Sequence, residues 1–206
     1  MKVLLVNGSM KPKGCTYTAL TVIQEELAAQ GVESDIFQIG TEAIKGCMGC
    51  GACAKLGKCI TEDAVNKALA MVDSYDGFIF GSPVHYAAAS GAVTSFLDRF
   101  FYASHGRMAH KPGAVVVSCR RGGASAAFDQ LNKYFSISQM PIISSCYWNQ
   151  VHGNTPEEVM QDLEGIRTIR VLARNMAYQL KLQQLAKDNG ITYPEELPAA
   201  KTNFIR

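Results

Sequence analysis

Three short runs in this chain are apolar at every position: Val3-Leu4-Leu5-Val6, Phe78-Ile79-Phe80 and Ala114-Val115-Val116-Val117. None alternates apolar with polar residues, as a strand with one wet face would. Such strands need cover on both sides, which is the habit of a parallel sheet between two layers of helices. The segments between them supply those helices. Thr16 to Gln30 carries Leu20, Ile23, Leu27 and Ala28 on one stripe and stops at Gly31. Gly91 to Ala103 gathers Val93, Phe96, Leu97 and Phe100 on one side, and Ala124 to Phe135 also suits a helix. Thr61-Glu62-Asp63 is a cap for a helix reaching about Val72. Thr155-Pro156-Glu157-Glu158 joins an N-cap threonine, a proline at the first helical position and a capping-box glutamate. The helix it starts is expected to run to Asn189. Val32 to Ile39 reads as a second strand and Pro141 to Cys146 as the last. The expectation is one α/β domain over residues 1–190, five strands deep, with a surface tail over residues 191–206 that begins beyond Gly190 and holds Pro194 and Pro198.

The chain has 206 residues and a net charge of +2, which gives no reason to expect a nucleic acid or other polyanion as partner. No apolar run is long enough for a membrane span, and the first apolar run is too short for a signal peptide. The seven cysteines are an odd number, against a secreted disulfide framework. A reducing, cytoplasmic setting is expected, where clustered thiols mean metal or redox work.

Four of those cysteines, Cys47, Cys50, Cys53 and Cys59, follow the spacing C-x2-C-x2-C-x5-C. A structural zinc site takes two close pairs with a longer spacer. Runs of C-x2-C-x2-C are typical of iron–sulfur clusters, whose thiolates wrap a small cube. Gly46, Gly49, Gly51 and Gly57 accompany them, and a backbone that turns tightly around a bound group needs glycine's freedom. Zinc, free thiols or a reversible disulfide are the alternatives. Cys119 and Cys146 fall in or beside apolar strands and read as core packing. His105, His110 and His152 form no pair at metal-ligand spacing.

In an open parallel sheet, ligands bind beyond the carboxyl ends of the strands. Gly8-Ser9-Met10-Lys11-Pro12-Lys13-Gly14-Cys15-Thr16 leads from the first strand into a helix, with hydroxyls, lysines and free helix N–H groups for a phosphate. It lacks the nucleoside-triphosphate and dinucleotide signatures, so a monophosphate fits better. Gly81-Ser82-Pro83-Val84-His85-Tyr86-Ala87-Ala88-Ala89-Ser90-Gly91 is small enough for a flat ring to approach its backbone. Ser118-Cys119-Arg120-Arg121-Gly122-Gly123 adds two fixed positive charges.

The pattern Gly8-Ser9, Gly14-x-Thr16, Gly81-Ser82-Pro83-Val84, Ser90-Gly91 and Phe96-Leu97-Asp98-Arg99 resembles the flavodoxin-like NAD(P)H-dependent FMN reductase family. The cysteine run makes it similar to the iron–sulfur flavoproteins within that family. The resemblance spans about residues 1–150. It implies a flavodoxin-like three-layer sandwich with strand order 2-1-3-4-5, noncovalent FMN, and a homodimer or homotetramer. Ser9, Lys11, Cys15 and Thr16 match its phosphate loop, with Met10-Lys11 standing where the family usually has Pro-Arg. Pro83, Val84, His85 and Tyr86 match its isoalloxazine loop, and Ser118, Arg120 and Gly122 its third loop. Cys47, Cys50, Cys53 and Cys59 match the ligands of a 4Fe–4S cluster.

The activity so implied is FMN-dependent oxidoreduction. NAD(P)H or a ferredoxin-type donor loads the flavin, and a quinone, nitro or azo compound or a redox protein accepts the electrons. No acid or base need be essential for hydride transfer to a flavin, and no catalytic side chain is singled out. An electron carrier or redox sensor without NAD(P)H turnover is the alternative, and a metal-binding interaction module a third class. Asp98 and Arg99 read as a structural pair on a helix. Tyr147-Trp148-Asn149 is expected after the last strand, covering the flavin or a substrate, or burying the tryptophan.

Overall fold

A computed structural model of the protein describes residues 1–198, 200, 202 and 204. Its parallel strands are β1 (Lys2–Asn7), β2 (Glu33–Gln38), β3 (Gly77–His85), β5 (Gly113–Cys119) and β6 (Gln150–His152). They lie in the order β2-β1-β3-β5-β6, each paired parallel with its neighbour. A two-residue strand, β4 (Ala88–Ala89), folds back antiparallel on the end of β3. Helices α1 (Cys15–Ala29), α6 (Pro156–Gln161) and α7 (Leu163–Asp188) cover one face. The short α2 (Cys53–Leu56), α3 (Ala64–Leu69), α4 (Gly91–Ser104) and α5 (Ala124–Ile137) lie on the other. This is the flavodoxin-like sandwich that the sequence implies.

The apolar runs owe their lack of alternation to two cores. Leu4, Val6, Phe78, Phe80, Val115 and Val117 enter the core under α3, α4 and α5. Val3, Leu5, Ile79, Ala114 and Val116 enter the core under α1 and α7. Successive side chains of a strand point to opposite faces, and here both faces are covered. The first core is aromatic: Phe80 packs edge-on to Phe100 with centroids 5.9 Å apart, and Phe96 stacks on Phe100 at 5.4 Å.

The fifth strand differs from expectation. Over Pro141 to Cys146 the chain touches the sheet through a single bridge, Ile142 to Gly113, held by Gly113 N–H to the Pro141 carbonyl and Ile143 N–H to the Gly113 carbonyl. It then loops out through Ser145 and rejoins the same edge at Gln150. Asn149, fully buried, pins the return by donating its amide to the Val115 carbonyl at 3.0 Å. Tyr147 and Trp148 therefore precede β6, half exposed, instead of following the last strand.

The helix from Thr155 is also broken. Thr155 caps α6 as expected, but the chain leaves helical geometry at Asp162, whose carboxylate accepts the Gly165 N–H and caps α7 afresh. The same carboxylate accepts the His152 N–H at 2.7 Å, tying the break to the end of β6.

Candidate functional site

The loops that follow β1, β3, β5 and β6 meet at the carboxyl edge of the sheet and enclose a cleft of about 510 Å³. That size is in the range of small-ligand sites. Ser9, Lys11, Cys15, Thr16, Pro83, Val84, His85, Ser118 and Arg120 all line it. No side chain caps α1, so its first N–H groups remain for a ligand at the cleft floor. Thr16 and Ser118, far apart in the chain, share a hydroxyl hydrogen bond of 2.7 Å and are both buried. Burial pushes the Cys15 thiol up, so it stays neutral at the start of α1.

The loop after β1 is braced by hydrogen bonds. Ser9 Oγ accepts the Lys11 N–H, and the Ser9 carbonyl accepts the Gln38 amide at 2.6 Å. Asn7, fully buried, accepts the Ser9 N–H through its carbonyl oxygen and donates its amide to Gln38. Gly8 makes the crossing possible: its N–H donates to the Gly81 carbonyl at 2.9 Å. A Cβ there would lie 2.1 Å from Val93 Cγ2 and 2.5 Å from the Gly81 carbonyl oxygen. The Gly8→Ala variant is expected to lose about 3 kcal/mol of stability through this overpacking. A thermal melt checks it, with a midpoint about 6–12 °C below wild type for a chain of this size.

Tyr86 and Gly122 stand outside the lining of the cleft. Tyr86 and Ala87 form the two-residue turn between β3 and β4, with φ of 50° and 60°. Tyr86 is fully exposed. Gly123, at φ 88°, packs so closely on Ala87 that a Cβ would meet the Ala87 Cα at 2.5 Å. Positive φ in two non-glycine residues is strain, and it sits at the rim of the cleft.

Some lining residues carry no signal in the loops that sequence reading singles out. Gly153 and Asn154 close the cleft from the end of β6, and the Gly153 carbonyl accepts the Cys15 thiol at 3.6 Å. The turn-forming Gly153-Asn154 ahead of the Thr155 capping box is the signal that marks them.

A second pocket lies beside the first core. Cys47, Cys50, Cys53 and Cys59 all line it, with Thr61, Arg99 and Tyr102. Cys47 and Cys50 are exposed, Cys53 is buried and Cys59 lies between. Cys53 opens α2, and Gly57 ends it at φ 65°, reversing the chain toward Cys59. Asn66 holds that return, donating to the Cys59 carbonyl at 2.8 Å and accepting its N–H at 2.9 Å. Burial pushes the Cys59 thiol up, but the Thr61 backbone and the Arg99 guanidinium outweigh it and leave the thiol below its ordinary value. Arg99 does not pair with Asp98: it grips Asp63 from inside, while Asp98 accepts the Tyr134 hydroxyl. Among the described residues, no three Cys, His, Asp or Glu side chains converge closely enough to hold one metal ion. Tyr147 and Trp148 belong to neither pocket; they line a small polar cavity beside His152 and Asp162.

The family model described as NADPH-dependent FMN reductase matches residues 1–155. The chain belongs to that family. It is 28% identical over 190 residues to an iron–sulfur flavoprotein of Methanocaldococcus jannaschii, covering 88% of this chain and 98% of that one. An iron–sulfur flavoprotein of Archaeoglobus fulgidus is 33% identical over 175 residues, covering 82% of this chain and 86% of the relative. The membership is thus of the iron–sulfur flavoprotein-like branch. Among solved structures, the flavodoxin, WrbA-like protein from Agrobacterium tumefaciens shares the fold with a TM-score of 0.63. It is 14% identical, and the match covers 88% of this chain and 98% of that one. No helix among the described residues is long and apolar enough to cross a membrane.

Proposed function

We propose that this protein is an FMN-dependent oxidoreductase loaded by NADH or NADPH. In this reading the cysteine run holds a 4Fe–4S cluster that hands electrons to a quinone, nitro or azo compound, or a redox protein. The observation that carries it is the cleft at the carboxyl edge, where three loops distant in sequence bring a phosphate-type and a ring-type lining together. The residues fit FMN. The uncapped start of α1, the hydroxyls of Ser9, Thr16 and Ser118 and the charge of Lys11 suit a phosphate monoester. Pro83, Val84 and His85 suit a flat ring system, with Arg120 able to favour its anionic reduced form. Bound FMN supplies exchange between two-electron and one-electron transfer. The chain's own part is to hold the ring, orient it and supply charge.

The cysteine pocket fits a cluster better than a single ion. All four thiols line one cavity, and their spacing, without the longer spacer of a structural zinc site, is that of a cluster loop. The cavity is about 30 Å³, so the loop must stand off to admit a cube. Gly49 and Gly51, at φ 65° and 67° with open space around each Cβ position, leave it room to do so. Helix α4 links the two sites. Gly91 and Ala92 line the flavin-type cleft, and Arg99, Tyr102 and Ala103 line the cysteine pocket. At 1.5 Å per residue, Gly91 and Arg99 stand about 12 Å apart along the helix. Both sites thus lie on one rigid element of one chain, which supports electron passage between them. The homodimer or homotetramer that the family resemblance implies belongs to the same proposal, and sedimentation checks it.

Stopped-flow mixing with NADPH and with NADH under argon tests the reading. Flavin bleaching is expected with at least one. If dithionite bleaches the flavin and neither nucleotide does within minutes, the protein is a carrier or sensor and not a reductase.

A further inference from the structure

Arg99 is almost wholly buried and spends all its donors on the cysteine segment. Nε donates to Cys59 Sγ at 3.2 Å. Nη1 donates to the Lys45 carbonyl at 3.1 Å and to Asp63 Oδ2 at 2.5 Å. Nη2 donates to the Thr61 carbonyl at 2.9 Å and to Asp63 Oδ1 at 3.0 Å. A guanidinium has five N–H groups, and each here has its own acceptor. Lys45 precedes the cysteine run, and Thr61 and Asp63 follow it. One side chain on α4 therefore joins both ends of a segment that is exposed at most of its positions.

We infer that the buried Arg99, paired with the partly buried Asp63, is a positioning device for the cysteine site, closing the loop from Cys47 to Cys59 and setting the reduction potential of the cluster held there. The second half rests on the cluster reading above; the first half does not. Closure follows from geometry. Lysine, with one ammonium, cannot serve five acceptors arranged around a plane. The potential follows from charge. Reduction adds one electron to the cluster, so the positive Arg99 in contact with a ligand sulfur favours the reduced state. Asp63, bonded to the far side of the same guanidinium, opposes it. Arg99 is buried and Asp63 partly so, and solvent screens neither charge fully.

The two charges give a test that loosening alone cannot mimic. Arg99→Gln should move the potential to more negative values, because a positive charge is lost and Asp63 is left uncompensated. Asp63→Asn should move it to more positive values. That variant keeps the cap on α3, since asparagine also accepts the Val65 N–H that Asp63 now holds. Arg99→Lys should stay near the wild-type potential while its loop opens. Loop closure is read separately on metal-free protein, by trypsin cleavage after the exposed Lys55 and Lys58. Cleavage tracks local opening and should be faster by about tenfold or more in Arg99→Gln and Arg99→Lys. FMN content serves as the fold control, because the flavin-type cleft lies at the other end of α4. Wild-type cleavage rates in both variants overturn the clasp. Potentials that shift together, or not at all, in Arg99→Gln and Asp63→Asn overturn the electrostatic role. A wild-type protein that takes up no iron overturns the cluster reading and with it the potential, while the trypsin result still decides the clasp.

Discussion

Replacing Thr16 with glutamate is expected to abolish FMN retention. Thr16 sits in the first turn of α1, buried, in a cleft that offers a phosphate uncapped N–H groups and three hydroxyls. A carboxylate there opposes the phosphate directly. Two like charges about 4 Å apart repel by about 4 kcal/mol at an effective dielectric of 20, or about three decades in Kd. The substitution also breaks the Thr16–Ser118 hydrogen bond and buries a charge, so the loss must be separated from misfolding. Lys11→Glu makes that separation. Lys11 is exposed and lines the same cleft, so reversing its charge weakens phosphate binding without burying anything. Wild-type protein should copurify yellow and release FMN, not FAD, on denaturation. FMN retained at wild-type occupancy in both variants, or FAD in the wild type, removes the assignment of this loop to the phosphate.

What the sequence shows of this fold and what it hides have separate physical causes. The central strands are legible because burial on both faces writes itself as unbroken apolar runs. Glycine and hydroxyl content marks the loops after β1, β3 and β5 as binding loops because close approach to a ligand demands small residues. β6 is an edge strand with Val151 alone fully buried, so its three residues carry almost no pattern. The more apolar Pro141 to Cys146 then stands in for it on paper. That one displacement also hides Gly153 and Asn154, which close the cleft from the end of β6. The turn at Tyr86 and Ala87 is invisible for another reason: it uses positive φ without glycine, asparagine or aspartate.

The cysteine site divides in the same way. The spacing of Cys47, Cys50, Cys53 and Cys59 announces a shared ligand, and the fold does bring all four to one cavity. Arg99 goes unannounced. Asp98 and Arg99 are neighbours in sequence, but successive residues of a helix point about 100° apart and cannot face each other. Arg99 faces inward and finds Asp63, a partner 36 positions away. Asp98 faces out to Tyr134, raising the Tyr134 hydroxyl well above its ordinary value, burial being the larger cause. No local pattern encodes such a pairing; it exists only once α3 and α4 are packed side by side.

That packing also makes the two proposed sites separable by mutation. Cys50→Ala is expected to remove most of the iron that anaerobic reconstitution installs and to leave FMN content unchanged. A cubane takes four thiolates, so the wild type should gain about four iron and four sulfide per chain. Cys50 is exposed, lines the pocket and lies outside the core, so losing its side chain leaves the core packing in place. The phosphate-type loop belongs to β1 and α1, and its bracing through Asn7 and Gln38 touches no part of residues 46–59. An exposed loop leaves a cluster open to oxygen, so iron and sulfide are assayed on protein kept under argon. Stoichiometric zinc in the wild type so prepared would replace the cluster with a single-ion site. Wild-type iron content in Cys50→Ala would show that the run does not act as one ligand set. Either result leaves the flavin-type cleft intact and reduces the protein to a flavin reductase with a cysteine-rich loop, whereas concurrent loss of FMN would mean that the two sites are coupled through α4.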